Sequence, residues 1–194
     1  MHRRHALWIL MLCLTPLLAA CGHPWKTSRQ AMPNPFYGQG RFGVVPIAFN
    51  ALQVGNSSEA DWMAEKDAEQ RQSWQEDKSA MNEAFTEALV EKAASEDAIV
   101  VRARSAADAP FFIRANVTFY EPGVFTGVFN MDTLLKATVQ LTDPAGRVFD
   151  EFLIEAKSPA SLLNPSSGGR ARDAASQLGK LTAMYISHRV RGED

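Results

Sequence analysis

The chain has 194 residues, of which 46% are hydrophobic, and its 20 Lys and Arg against 22 Asp and Glu give a net charge of −2. This length and composition suit one domain of ordinary size with short appendages. A nucleic-acid partner is not expected, because the chain has no basic excess. Four histidines and two cysteines also offer little material for a metal site or a disulfide framework.

The first twenty residues have the pattern of a secretory signal peptide. Arg3 and Arg4 precede an apolar run, 6–20, which ends in small residues. A membrane-spanning helix needs about 20 apolar residues, and this run is shorter and contains Pro16. An uncleaved membrane anchor and a buried core helix are the alternatives.

The sequence Leu18-Ala19-Ala20-Cys21 resembles the lipobox of bacterial lipoproteins. The resemblance implies that 1–20 are removed, that the Cys21 thiol carries a diacylglycerol and that the new amine is acylated too. Two or more acyl chains make membrane attachment stable. By resemblance to enterobacterial sorting rules, Gly22 in place of aspartate implies the outer membrane, with the chain facing the periplasm.

Cleavage before Cys21 would leave 174 residues (194 − 20), with 18 Lys and Arg against 22 Asp and Glu and a net charge of −4. With Cys21 acylated, no thiol would remain for a disulfide, a nucleophile or a metal site. The remaining histidines are His23 and His188. We therefore predict neither a cofactor nor a metal.

Residues 21–42 are predicted to be the lipidated N-terminus and a flexible tether. Within it, residues 23–42 carry three prolines and two glycines before Arg41 and lack a helical or strand period. Gly38 to Gly43 formally matches the GxGxxG pattern, but a dinucleotide site needs a strand before it and a helix after it. Here a linker precedes the glycines and a strand follows them, so nucleotide binding is not expected.

A single domain is predicted over 43–190, beginning with a strand at 44–49. Ser58 and Asp61 then have the form of a helix cap. The stretch 59–78 has seven acidic and three basic residues, and it is either a helix extension or a loose polar insertion. An amphipathic helix follows from Met81 to about Asp97.

The second half of the domain alternates apolar and polar residues in a manner typical of strands. The predicted strands are 99–101, 111–121, 134–142 and 148–157, and a C-terminal helix follows at 169–189. Asp143 to Gly146 reads as the turn of a hairpin. Single-sided alternation indicates an antiparallel sheet with one covered face. The predicted fold class is α+β, a two-layer sandwich of a mainly antiparallel sheet of about five strands with two helices on one face, in the order β-α-β-β-β-β-α.

The order of these segments resembles a group of Gram-negative envelope lipoproteins. The resemblance rests on the lipobox, VVPIAF, EAFTEALVEKA, ANVTFYEPG, LLKATVQLTDPAGRVF and RDAASQLGKLTAMYI. The globular part is similar to that of LpoB-type penicillin-binding-protein activators and the curli-secretion lipoprotein CsgG. This implies a non-enzymatic periplasmic module that binds a protein partner or joins a larger assembly. A pair of long lipid-facing hairpins is missing, which argues against a pore.

Four aromatic residues are candidates for protein binding. Phe125 and Phe129 lie in 122–131, which joins two strands and carries large apolar residues where a loop is usually polar. The alternative is that this segment extends the strands or caps the sheet. Trp62 and Trp74 in the acidic stretch are either partner anchors or core residues.

No GxSxG, HExxH or P-loop motif is present, and an enzyme is not expected. The favoured function is an accessory lipoprotein that binds a protein of the envelope, of unknown identity. A structural subunit of an envelope or secretion assembly is the alternative. A cell-wall or lipid hydrolase using carboxylates is the least favoured.

Overall fold

The computed structural model describes residues 23–193, apart from 97 and 127. The predicted signal peptide and Cys21 therefore lie outside the described residues. The elements are, in chain order, β1 Trp25–Arg29, β2 Arg41–Val44, β3 Gln53–Val54, β4 Ser57–Ser58, α1 Glu59–Ala64, α2 Ala68–Ala94, β5 Ile99–Arg102, β6 Phe111–Glu121, β7 Val124–Phe125, β8 Asn130–Met131, β9 Thr133–Thr142, β10 Val148–Ser158 and α3 Ser167–Arg191.

The main sheet is mixed and has eight strands in the described chain, not about five. Its central order is β1-β10-β9-β6-β2-β5, with β3 beside β6 and β4 beside β3, while β7 and β8 form a separate pair. The antiparallel part, β6-β9-β10, confirms the predicted alternation, and the turn at Asp143 is closed by a hydrogen bond from the Gly146 amide to the Asp143 carbonyl, 3.0 Å long.

The N-terminal half of the sheet corrects the predicted order. Strand β2 runs parallel to both β5 and β6, and α2 provides the long crossover that parallel strands need. The strand predicted at 44–49 ends at Val44, because Pro46 has no amide to donate. The chain rejoins the sheet at Ala48, whose amide donates to the Ala115 carbonyl at 2.9 Å.

The acidic stretch is helical, in two pieces. Ser58 caps α1 through the Asp61 amide, and Asp67 with Gln70 forms a complete capping box at the start of α2. Three helices are therefore described where two were predicted. The second predicted helix is confirmed as α3, which ends at Gly192 in the left-handed conformation.

Helices α2 and α3 pack on each other and on the buried face of the sheet. The two helices approach each other closely at Gly179, where a Cβ atom would overlap the Phe85 carbonyl oxygen and lie 3.0 Å from the Leu89 nitrogen. The apolar residues on the inward side of α3, Ala171, Ala174, Leu178 and Tyr185, are buried, whereas Leu181 is only partly covered.

Two bulges change which side chains face the core. In β6 an extra residue between Val117 and Phe119 shifts the register. Tyr120 is therefore buried, and Phe119, which strict alternation from Val117 would turn inward, does not reach the core. In β10 a second shift, between Val148 and Asp150, turns the Asp150 carboxylate inward. A bulge inverts the alternation beyond it.

The predicted flexible tether is wrong for the described part of 21–42. Strand β1 pairs with β10, from Trp25 opposite Ile154 to Arg29 opposite Glu151, and Phe36 is fully buried. Pro33 and Pro35 lie between β1 and Phe36, and Gly38 and Gly40 lie between Phe36 and β2, so both pairs are flanked by ordered residues.

A buried ion pair holds the segment that follows β1. The Arg189 guanidinium donates to the Asp150 carboxylate at 2.7 Å and to the Ala31 carbonyl at 3.0 Å, and the Ala31 amide donates to Asp150 at 2.8 Å. The Tyr185 hydroxyl donates to the same carboxylate at 2.7 Å. Burial raises the pKa of Tyr185, which keeps it a donor.

Candidate interaction site

The segment 122–132 forms a small hairpin beyond the end of the sheet. Strands β7 and β8 pair within it, and the Phe129 amide donates to the Thr126 hydroxyl at 2.9 Å. Gly123 makes the entry turn with a φ of +66°, and a Cβ atom there would overlap the Met131 carbonyl oxygen. Glycine is therefore required at position 123.

The loop 159–166 lies beside this hairpin. The Ala160 amide donates to the Asp132 carboxylate at 3.4 Å, and the loop is closed by a bridge between Ser161 and Asn164. We call the hairpin and this loop together the apolar tip. Its exposed apolar side chains are Val124, Val128, Phe129, Met131, Leu162 and Leu163.

A buried arginine joins the two parts of the apolar tip. Arg170 in the first turn of α3 is 1% exposed. Its guanidinium donates to the Pro122 carbonyl at 3.0 Å and to the Thr133 hydroxyl at 3.0 Å. It also donates to the carbonyls of 164 and 165. Neutral oxygens from both loops thus share one cation, and this network fixes the loops relative to each other.

The two predicted phenylalanines both lie on the apolar tip. Phe129 is 63% exposed, whereas Phe125 is half-buried. The segment neither continues the strands of the main sheet nor lies in the main hydrophobic core. Its apolar surface therefore faces outward.

Next to the apolar tip is a second feature, which we call the aromatic groove. It has a volume of about 360 Å³. The Trp74 ring stacks on Tyr120 at 5.3 Å, and Trp62 meets Trp74 edge-on, also at 5.3 Å. Pro122 and Ser167 complete one wall, so the groove adjoins both the hairpin and the start of α3.

The rim of the aromatic groove carries one basic and two acidic side chains. Lys66 lies over the Trp62 ring at 4.7 Å from its centre, and Glu69 and Asp77 face the same space. Burial raises the pKa of Asp77, and its nearest cationic partner, Arg172, is 3.7 Å away. The Asp77 carboxylate therefore keeps acceptor capacity toward the groove.

The two tryptophans have different environments. Trp74 is 3% exposed, and its indole nitrogen donates to Glu59 at 2.6 Å. It thus packs mainly in the core, with only a small part of its ring at the floor of the groove. Trp62 is only partly buried and lies against the edge of the core, so of the two it is the one accessible from the groove. Cys21, the predicted lipid attachment, is outside the described residues.

Metal binding by the described part of the chain would require a cluster of ligating side chains. No group of three or more His, Cys, Asp and Glu side chains lies close enough to hold a metal ion there. His188 packs against His23 and Trp25 near the end of α3, away from the groove.

Several site residues are not visible in the sequence pattern. Tyr120 is hidden by the bulge that places it inward, and Arg170 resembles any charged residue near a helix start. Leu162 and Leu163 do carry a signal, since they are an apolar pair in a stretch of Pro, Ser and Asn.

No family model matches the chain, and no curated protein matches it in sequence. Solved structures that match include a PelC dodecamer from Paraburkholderia phytofirmans, with 12% identity and a TM-score of 0.44 over 81% of this chain and 96% of that one. A Xanthomonas campestris protein of the family DUF330 has 10% identity and a TM-score of 0.44, over 86% and 95%. A minor lipoprotein from Acinetobacter baumannii has 10% identity and a TM-score of 0.33, over 79% and 92%. These similarities are distant, and the likeness to the LpoB-type and CsgG-type lipoproteins stays a prediction.

Proposed function

We propose that this chain is an outer-membrane lipoprotein, anchored through Cys21, which serves as a non-enzymatic accessory protein by binding another protein of the envelope. The anchor is supported by the basic N-terminus, the short apolar run and the lipobox at 18–21. The binding role is supported by the aromatic groove, and this is the observation that carries the proposal.

The chemistry of the aromatic groove favours a particular kind of partner segment. Trp62 offers a large apolar surface, and aromatic residues dominate binding energy at protein interfaces. The surrounding stretch 59–78 has four more acidic than basic residues, seven against three. A segment with an apolar side chain beside a Lys or Arg complements this surface, since opposite charges steer encounter.

A pair of substitutions tests the groove. Trp62→Ala removes the partly exposed aromatic anchor. Asp77→Asn removes the carboxylate of Asp77, whose pKa is raised by burial. We expect both variants to fold and both to lose crosslinking to the partner in intact cells. Loss of an aromatic anchor costs about 2 kcal/mol or more, and each 1.4 kcal/mol is roughly tenfold in affinity.

The matched control is Tyr37→Ala, because Tyr37 is exposed and lies at the other end of α3, beside Gly192. It should crosslink as the unaltered chain does. Thermal melting of each variant separates a lost contact from a lost fold. Unchanged crosslinking in both groove variants contradicts the proposal. Crosslinks that join only copies of this chain favour a structural subunit of an assembly instead.

A further inference from the structure

We propose that the outer edge of β5 is a second binding site, at which an extended segment of another protein adds a strand to the sheet. The segment alternates apolar and basic side chains. This inference goes beyond the proposed function, because the edge of β5 is a different surface from the aromatic groove. Strand addition takes its affinity from backbone hydrogen bonds and its specificity from alternate side chains.

Strand β5 is at the end of the main sheet and has a partner strand, β2, on one side only in the described chain. The amides of Ile99 and Ala103 donate to carbonyls in and just before β2, at 2.7 and 2.9 Å. In a parallel pair, alternate residues of a strand direct their N–H and C=O groups to the same side. Val100 and Arg102 therefore direct theirs away from β2, toward an added strand.

The edge of β5 is less protected against pairing than the opposite edge of the sheet. Sheet edges are commonly protected by bulges, prolines or charged side chains. Strand β1, at the opposite edge, has a break in its register and two basic residues, Lys26 and Arg29. Strand β5 pairs in unbroken register, contains no proline and leaves Ile99 58% exposed. Its one charged side chain, Arg102, is held by Glu83 of α2, with 2.7 Å between Nη1 and Oε2.

The two faces of the sheet differ in chemistry along this edge. On the face that the helices cover, α2 packs beside β5 and carries Glu83, Glu87 and Glu91, all of them exposed. Glutamates four residues apart form one row on a helix, and this row is about 12 Å long. Glu83 binds Arg102, and Glu87 attracts the same guanidinium, so the row lies along the edge. On the other face, the apolar side chain of Ile99 is exposed.

The charge of this row favours a basic occupant. Three carboxylates against the single guanidinium of Arg102 leave this edge with a charge of −2 (−3 + 1). A second copy that paired antiparallel through the same edge would bring two such rows together on one face of the joint sheet, and like charges disfavour that contact. An added strand with Lys or Arg on the helix-covered face and apolar residues on the other face complements both the glutamates and Ile99.

Amide hydrogen exchange, followed by NMR on the full chain in detergent, tests this site. In the protein alone, the amides of Val100 and Arg102 should exchange rapidly, whereas those of Ile99 and Ala103 are protected by their bonds to carbonyls. The probe is a synthetic peptide of alternating Val and Lys. At about ten times its Kd, we expect it to slow exchange at Val100 and Arg102 by about tenfold and to leave the edge of β1 unchanged.

Paired substitutions test the choice of a basic occupant. Glu87→Gln with Glu91→Gln removes two carboxylates of the row. The matched control, Glu65→Gln with Glu155→Gln, removes two exposed carboxylates that lie before α2 and in β10. At low salt we expect the first variant to bind the peptide on the order of tenfold more weakly, and the control to bind it as the unaltered chain does. A peptide of alternating Val and Glu should not bind.

The possible outcomes are distinct. Exchange at Val100 and Arg102 that the Val and Lys peptide does not slow overturns the inference, as does equal binding by the Glu87 and Glu91 variant and its control. Protection of these two amides that rises with the concentration of the protein alone shows that a second copy pairs at this edge, which also overturns it. Trp62→Ala should bind the peptide normally, so failure of the aromatic groove as a partner site is recognised separately.

Discussion

At the scale of single residues, the close contact between α2 and α3 depends on the absence of a side chain at Gly179. A Cβ atom at Gly179 would overlap the Phe85 carbonyl oxygen, and helix backbone cannot move aside as a side chain can. We expect Gly179→Ala to force the helices apart and to lower the free energy of unfolding by about 1–3 kcal/mol, as other overpacked cores do. Urea denaturation measures this change.

Gly40→Ala is the control for this substitution. A Cβ atom at Gly40 meets nothing within 4 Å, so we expect a change within about 0.5 kcal/mol. Equal stability of the two variants would show that α2 and α3 do not approach each other as closely as the structure has them.

At the scale of elements, the segment from β1 to Phe36 is attached partly through one buried carboxylate. Asp150 accepts hydrogen bonds from Ala31, Tyr185 and Arg189, and removing one partner of a buried ion pair costs about 3–5 kcal/mol. We expect Asp150→Asn to loosen this segment first, so that trypsin cleaves after Lys26 and Arg29 faster than elsewhere in the domain. Mass spectrometry of limited digests follows this order.

Asp143→Asn serves as the comparison, since Asp143 pairs with Arg147 at the surface, where Arg147 is largely exposed. Exposed ion pairs contribute at most about 1 kcal/mol, so cleavage after Lys26 should stay slow. If the Asp150 variant is digested evenly along the chain, the segment is not a separately held unit.

The strands and helices whose own residues have a regular apolar and polar pattern could be predicted from the sequence. The periodic residues of β6, β9, β10 and α3 gave their positions to within a few residues, because one face of each is buried. Strand β1 could not be found, since WKTSR has one apolar residue and gains its partner only from β10. The position of Tyr120 depends on a bulge, which pairing geometry decides. The sequence therefore pointed to Trp62 and Trp74 as candidates but not to the groove that they form with Tyr120.

At the scale of the whole molecule, the proposed lipid on Cys21 would attach the domain to the membrane. We expect Cys21→Ser to abolish incorporation of labelled palmitate and to leave 1–20 attached, because both reactions need the thiol. Cys13→Ser changes the other cysteine and should be acylated and processed normally. Palmitate in the Cys21 variant would contradict the anchor.

The pairing of β1 with β10 also has a consequence for the order of folding. Trp25 meets Ile154, 129 residues further along the chain (154 − 25), and such distant contacts close slowly because the intervening loop loses entropy. Strand β1 must therefore wait until most of the polypeptide is available before it can dock. During that interval β1 has an unpaired backbone edge, with which a strand of another chain can pair.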